Sequence, residues 1–198
     1  LNEFNSPYSK EACRRRLGLS VKDNIILFVG MLYRYKAPDV LVRIIPKVVE
    51  SVPAARLILV GTGPIREELE TLSRRLGVDK HVTFAGYIFD TFEKATYYRA
   101  ADVLVLASRT EVFPMVLLEA SASGLPVVVN DLPTYKCIIE DGYNGVIARG
   151  SSENDLADAV IHLLKNPSLR HKMGENALQK ARNFSWDSIA ARTEEVYR

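Results

Sequence analysis

The stretch ADVLVLASRTEVFPMVLLEASASGLPVVV, residues 101–129, contains a complete strand–helix–strand unit. Val103–Leu106 (VLVL) and Val127–Val129 (VVV) are apolar at every position. That pattern suits strands covered on both faces, as in a parallel sheet. Between them Pro114 opens a helix-like segment over 114–123; a proline fits a first helical turn, where its missing N–H would have no intrahelical partner anyway. The same alternation runs upstream through Ile25–Val29 (IILFV), Leu57–Val60 (LILV) and Val82–Ala85 (VTFA), with helix-like segments at about 37–51, 64–76 and 91–100. Pro38 suits the start of the first of these, whereas Pro46 is predicted to kink it or end it early. A further helix is expected over 133–140 and a sixth strand over Gly145–Ala148 (GVIA). Beyond residue 152 the pattern turns wholly helical, over 152–165, 168–183 and 186–197, with Asn166-Pro167 as a stop signal. The predicted class is α/β: a single Rossmann-like, doubly wound parallel sheet with a helical C-terminal tail. A length of 198 residues fits one domain, with residues 1–20 as a lead-in carrying one short basic helix.

Composition excludes several functions. Lys and Arg number 26 against 24 Asp and Glu, a net charge of +2 that argues for no nucleic-acid partner. The one basic cluster, Arg14–Arg16 beside Lys10, is too short for a polyanion groove. Cys13 and Cys137 lack metal-ligand spacing and suit a reducing cytoplasm, the expected location. No apolar run approaches the roughly 20 residues of a membrane span, and the start LNEFNSPYSK lacks the apolar core of a signal peptide.

In an open α/β sheet, ligands bind beyond the carboxyl ends of the strands. After the first run comes Gly30-Met31-Leu32-Tyr33-Arg34-Tyr35-Lys36, which lacks the GxGxxG of a dinucleotide site and so disfavours a nicotinamide-dependent oxidoreductase. After the second, Gly61-Thr62-Gly63 supplies two glycines of such a fingerprint, but Arg66 takes the third place; a tight strand-to-helix turn, with Pro64 at the helix start, explains them better. The informative segment follows the fourth run. Glu111 and Glu119 bracket seven uncharged residues, and a helix starting at Pro114 is predicted to leave the N–H groups of Met115, Val116 and Leu117 free for a phosphate. Carboxylates beside such a site suit vicinal diols, which sugars offer. The alternative for Glu111 is an exposed loop acid. For Glu119 it is a solvated helix-face acid, although its apolar neighbours mean that a buried glutamate there needs a partner.

Glu111 and Glu119 resemble the E-x7-E element of retaining glycosyltransferases with the GT-B fold, family 4 in particular. The resemblance extends through all of 101–129, EDGYNG (140–145), IILFVG (25–30), LILVGTGP (57–64) and VTFAGYI (82–88), covering roughly residues 17–197. Such enzymes have two Rossmann-like domains facing across a cleft. The resemblance implies that this chain is the C-terminal, donor-binding half, with FSWDSIAARTEEVY (184–197) as the helix that crosses back to an N-terminal acceptor-binding domain. It implies that Glu119 binds the ribose hydroxyls of a UDP- or GDP-sugar and Glu111 the transferred hexose. Phe113, Pro114, Met115, Val116 and Leu117 would serve sugar hydroxyls and phosphates, and Gly86, Tyr87 and Ile88 the nucleobase. Gly61 and Gly63 belong to the same donor region, and Lys36 would neutralise the diphosphate leaving group. No DxD triplet occurs, so neither a bound metal nor a cofactor beyond the donor is expected. Any peripheral membrane association would come through the other half.

Two departures stand out. Met31 occupies the place of the family's diphosphate-gripping Arg, with Arg34 as a nearby candidate substitute. Pro133-Thr134-Tyr135-Lys136-Cys137 replaces a Gly-Gly loop followed by a Glu, and Lys136 is either a phosphate contact or a solvated lysine. These changes leave room for a second expectation, a catalytically degenerate nucleotide-sugar-binding or interaction module of the same fold.

Overall fold

The computed structural model describes residues 2–4, 7–150, 152–184 and 186–197; lead-in positions 1, 5 and 6 and Ser185 of the terminal stretch lie outside the described residues. The order is α1 (Lys10–Arg16), β1 (Asn24–Val29), α2 (Pro38–Ser51), β2 (Ala55–Val60), α3 (Arg66–Arg75), β3 (Val82–Gly86), α4 (Thr91–Ala100), β4 (Val103–Leu106), α5 (Met115–Ala122), β5 (Val127–Asn130), β6 (Gly145–Ala148), α6 (Glu153–Lys165), α7 (Pro167–Ala181) and α8 (Trp186–Tyr197). The six strands form one sheet in the order β3-β2-β1-β4-β5-β6, and every pairing is parallel. Every residue of β4 is buried, as is every residue of β1 after Asn24. Helices cover both faces of the sheet: α2 packs on α3 and α6, while α4 touches α1 and α5, and α5 packs on α7. That division follows from right-handed crossovers that run outward in opposite directions from the middle of the sheet.

The strand order places the functional edge. β1 lies between β2 and β4, so the crossovers leaving β1 and β4 diverge and open a crevice at their carboxyl ends. Two glycines narrow the neighbouring loops. A Cβ on Gly61 would sit 1.9 Å from the Gly30 carbonyl oxygen, and one on Gly63 would sit 2.4 Å from that of Leu32. The loops after β1 and β2 therefore run in backbone contact, joined by Leu32 N–H to Thr62 O at 2.9 Å.

Three local expectations need correction. Pro46 does not end α2 early; the helix runs unbroken from Pro38 to Ser51. The proline costs roughly 3 kcal/mol, but Leu41, Val42, Ile44, Ile45 and Val48 are all buried on this helix, at about 1.5–3 kcal/mol each. The helix expected over 133–140 is instead a 3-10 turn, Pro133–Cys137. Its tightness suits a segment whose Tyr135 is fully buried. Pro114 does not occupy the first turn of α5 but its N-cap, with φ −82° and ψ 84°, and the helix begins at Met115. The lead-in is docked on the domain, with Phe4, Cys13 and Arg14 buried.

The steric argument at Gly61 gives a direct test. Gly61→Ala is expected to lower the unfolding free energy in urea by about 2 kcal/mol or more, an overpacking cost. Gly63→Ala should do the same, and unchanged urea midpoints would contradict the backbone contact.

Candidate active site

Lys36 and Glu111 reach the crevice from its two sides. Lys36 ends the 3-10 turn Arg34–Lys36 after β1, and Ala37, with φ 48°, turns the chain into α2; it is the non-glycine residue with positive φ among the described residues. A left-handed alanine costs roughly 1–2 kcal/mol. Lys36 Nζ donates to both carboxylate oxygens of Glu111, at 2.7 and 2.8 Å. The side chains are 22% and 7% exposed, so this is a largely buried pair in which neither charge is tolerable alone. Ser108 Oγ donates to Glu111 Oε1 at 2.9 Å, and Arg109 N–H donates to Tyr35 O at 2.7 Å, tying the two loops together.

Glu119 is built differently. It lies on α5 and is 13% exposed at its side chain, so it is not a solvated acid. Lys94 Nζ donates to Oε1 at 2.9 Å and Tyr98 Oη to Oε2 at 2.6 Å. Both partners come from one face of α4, a turn apart. Burial pushes the Tyr98 phenol well above its usual range, with the Glu119 charge adding, so it stays a hydrogen-bond donor. A carboxylate has about four lone-pair directions, and each Glu119 oxygen keeps one open.

The amides at the start of α5 depart from expectation. Met115 N–H donates to Phe113 O at 3.0 Å and Leu117 N–H to Pro114 O at 2.9 Å. Of the three, Val116 alone has no main-chain acceptor among the described residues. The non-helical ψ of Pro114 tightens this turn and uses the neighbouring amides internally. The side chains of Pro114 and Leu117 are buried, while Phe113 and Met115 are exposed and Val116 is half-buried.

The remaining sequence candidates scatter around the same edge. Gly86 closes β3 and accepts from Gly61 N–H at 2.7 Å; Tyr87 is exposed and Ile88 packs against the core. Gly61 and Gly63 serve the backbone contact described above. Arg34 turns away from the crevice and pairs with Glu68 at 2.8 Å in an exposed bridge, and Lys136 is an exposed partner of Asp131. Exposed Met31, Tyr33, Tyr35, Tyr87, Phe89, Val112, Phe113 and Met115 give this edge an apolar rim. At the end of β5 and in the turn after it, Asn130 Oδ1 and Thr134 Oγ1 are buried without a hydrogen-bond partner among the described residues. Burial pushes the Tyr135 phenol up to about 12, with the Glu111 charge adding and the Ser108 hydroxyl opposing. Among the described residues no group of three or more His, Cys, Asp or Glu is placed to hold a metal, and no helix is long and apolar enough to cross a membrane.

Residues 9–180 match the family model for glycosyl transferases group 1. The chain belongs to that family. Over 193 residues, 94% of this chain and 46% of the relative, it is 35% identical to D-inositol 3-phosphate glycosyltransferase of Corynebacterium aurimucosum. The chain thus spans about half the length of the curated relatives it matches. Sucrose-phosphate synthase from Thermosynechococcus elongatus superposes on all of this chain and 50% of its own, with a TM-score of 0.87 and 29% identity. The C-terminal domain of a group 1 glycosyl transferase from Francisella tularensis shares the fold at TM-score 0.81 and 24% identity, over 92% of this chain and 96% of that one.

Sequence reasoning about this group 1 glycosyltransferase domain missed Lys94, Tyr98, Ser108 and Tyr135. Only the expectation that a buried Glu119 needs a partner pointed toward Lys94 and Tyr98. Tyr98→Phe is expected to cost about 1.5–3 kcal/mol of stability, the range for a hydrogen bond to a charged group. Denaturant unfolding checks this, and an unchanged midpoint would mean that Lys94 alone satisfies Glu119.

Proposed function

We propose that this domain binds the nucleoside-diphosphate sugar, UDP- or GDP-linked, in a retaining hexosyltransferase whose acceptor is held by an N-terminal domain. The single observation that carries the reading is the convergence of Lys36 and Glu111 at the strand-order reversal, with Glu119 on the adjoining helix. Glu119 takes the ribose diol on its open lone pairs while Lys94 and Tyr98 hold it still. Lys36 turns part of its donor capacity from Glu111 to the diphosphate, which accumulates charge as the sugar–phosphate bond breaks and the electron pair leaves with oxygen. A fixed ammonium and the N-terminal end of α5 aimed at that charge act most strongly in the transition state. Glu111, relieved of part of its pairing, faces the hexose hydroxyls and the positive charge growing on the sugar ring. The unpartnered polar atoms of Asn130 and Thr134 beside the crevice suit a hydroxyl-rich ligand. The apolar rim suits a face covered by a second domain, in keeping with relatives twice this length.

One observation favours a second reading. Met31 stands where the resemblance expects a cation, and Arg34 is committed to Glu68 on the outside. A domain with Lys36 as its one diphosphate cation suits a binding module that no longer drives transfer. A two-domain protein that transfers or hydrolyses a nucleotide sugar excludes this alternative.

Calorimetric titration with UDP, GDP and uridine separates the roles. Glu119→Ala is expected to weaken nucleotide and uridine alike by at least about tenfold, the scale of one lost charged hydrogen bond. Lys36→Met should weaken UDP by a similar factor while leaving uridine unchanged. Equal binding by wild type and Glu119→Ala would count decisively against the assignment. The chain alone is expected to transfer no sugar, and turnover without an N-terminal domain would overturn the half-enzyme reading.

A further inference from the structure

At the opposite edge of the sheet, where the strands begin, the residue before β4 gathers three cations. Asp102 accepts from Lys10 Nζ at 2.6 Å and from an Arg14 terminal nitrogen at 2.6 Å, and an Arg170 nitrogen lies 3.7 Å away. The Asp102 carboxylate also accepts from the Ile25 N–H at 2.7 Å, which fixes it to the start of β1. The side chains of Arg14, Arg170 and Lys10 are 6%, 15% and 34% exposed. Three largely desolvated cations thus share one carboxylate, an imbalance that burial makes expensive.

The three cations are not equally committed. Arg14 spends its remaining nitrogens on the carbonyls of Ala100 and Val21, both at 2.9 Å, and is satisfied. Arg170 donates one nitrogen to the carbonyls of Leu163 and Leu164 at the end of α6, leaving its other terminal nitrogen with only the distant Asp102 oxygen. Lys10 has Asp102 alone and two further N–H groups. Burial pushes the Lys10 ammonium below its usual pKa, with the Arg14 and Arg170 charges adding and Asp102 opposing. Among the described residues the nearby acids stand outside the cluster: Glu11, which interacts through its charge with Lys10 and Arg14, and Glu175, the partner of His171, are both exposed.

Beside the cluster lies a cavity of about 300 Å³ lined by Lys10, Arg99, Asp102, Ser123, Arg170 and His171. We infer that this cavity is a second ligand site, remote from the donor crevice, which takes the phosphate group of a small soluble phosphate compound. Lys10 and Arg170 provide charge-assisted donors to the phosphate oxygens, and the exposed Arg99 and His171 line the same cavity. A dianion there restores the missing negative charge. Tyr98 lines the same cavity and also holds Glu119, so the two sites share one side chain.

Thermal shift of this chain with inorganic phosphate, against sodium chloride at matched ionic strength, tests the assignment. Phosphate is expected to raise the Tm saturably, since a ligand of the folded form alone stabilises it. Lys10→Met should weaken phosphate binding by about tenfold, and Lys10→Arg should retain it, while uridine binding stays at the wild-type level in both. A phosphate effect no larger than that of chloride, or an equal effect in Lys10→Met, overturns the proposal. Should Lys10→Met fail to fold, phosphate-31 line broadening decides the matter: broadening that persists in the crevice variant Lys36→Met supports the site, and its absence, or its loss in Lys36→Met, refutes it. Because uridine binding reports the crevice separately, loss of one site is distinguishable from loss of the other.

Discussion

The ion pair between Lys36 and Glu111 is the constraint around which the carboxyl edge of this sheet is organised. The two residues lie 75 positions apart and meet because β1 and β4 are neighbours from which the crossovers diverge. A lone charge so placed would cost several kcal/mol. The surrounding backbone is accordingly held: Ala37 adopts a left-handed turn, Arg109 binds Tyr35 across the gap, and Ser108 adds a hydrogen bond to the carboxylate. The pair leaves this part of the crevice electrically neutral.

The two glutamates of the E-x7-E element occupy different physical settings although one short turn joins them. Glu111 sits in a loop and is held by Lys36 across the crevice and by Ser108 beside it. Glu119 is clamped by two groups from α4, and Tyr98 remains protonated well beyond neutral pH. A clamped acceptor suits a fixed diol and an exchangeable pair suits a centre where charge develops. Tyr98 also walls the basic cavity at the far edge, so α4 connects the two ends of the sheet through a single buried side chain.

Much of this was legible in the residues. All six strands lie where the short apolar runs place them, and the E-x7-E stretch pointed to the family. The misreadings came where burial overrode local preference. Pro46 sits inside an intact α2 because five buried side chains outweigh one lost hydrogen bond. The 133–140 segment tightens into a 3-10 turn around buried Tyr135. Pro114 stops one residue short of the helix, and the resulting turn consumes two of the three amides expected to be free.

Fold class, the position of each strand and the two acids were thus determined by the sequence alone, because burial on both faces of a strand leaves a continuous apolar run that needs no partner to be recognised. Which strands are neighbours, that Lys36 finds Glu111 while Arg34 finds Glu68, that Lys94 and Tyr98 hold Glu119, and that three cations crowd Asp102 were decided only in three dimensions. Each of these pairings joins side chains from separate elements, and the distance between them depends on strand order and helix packing, which no local pattern records.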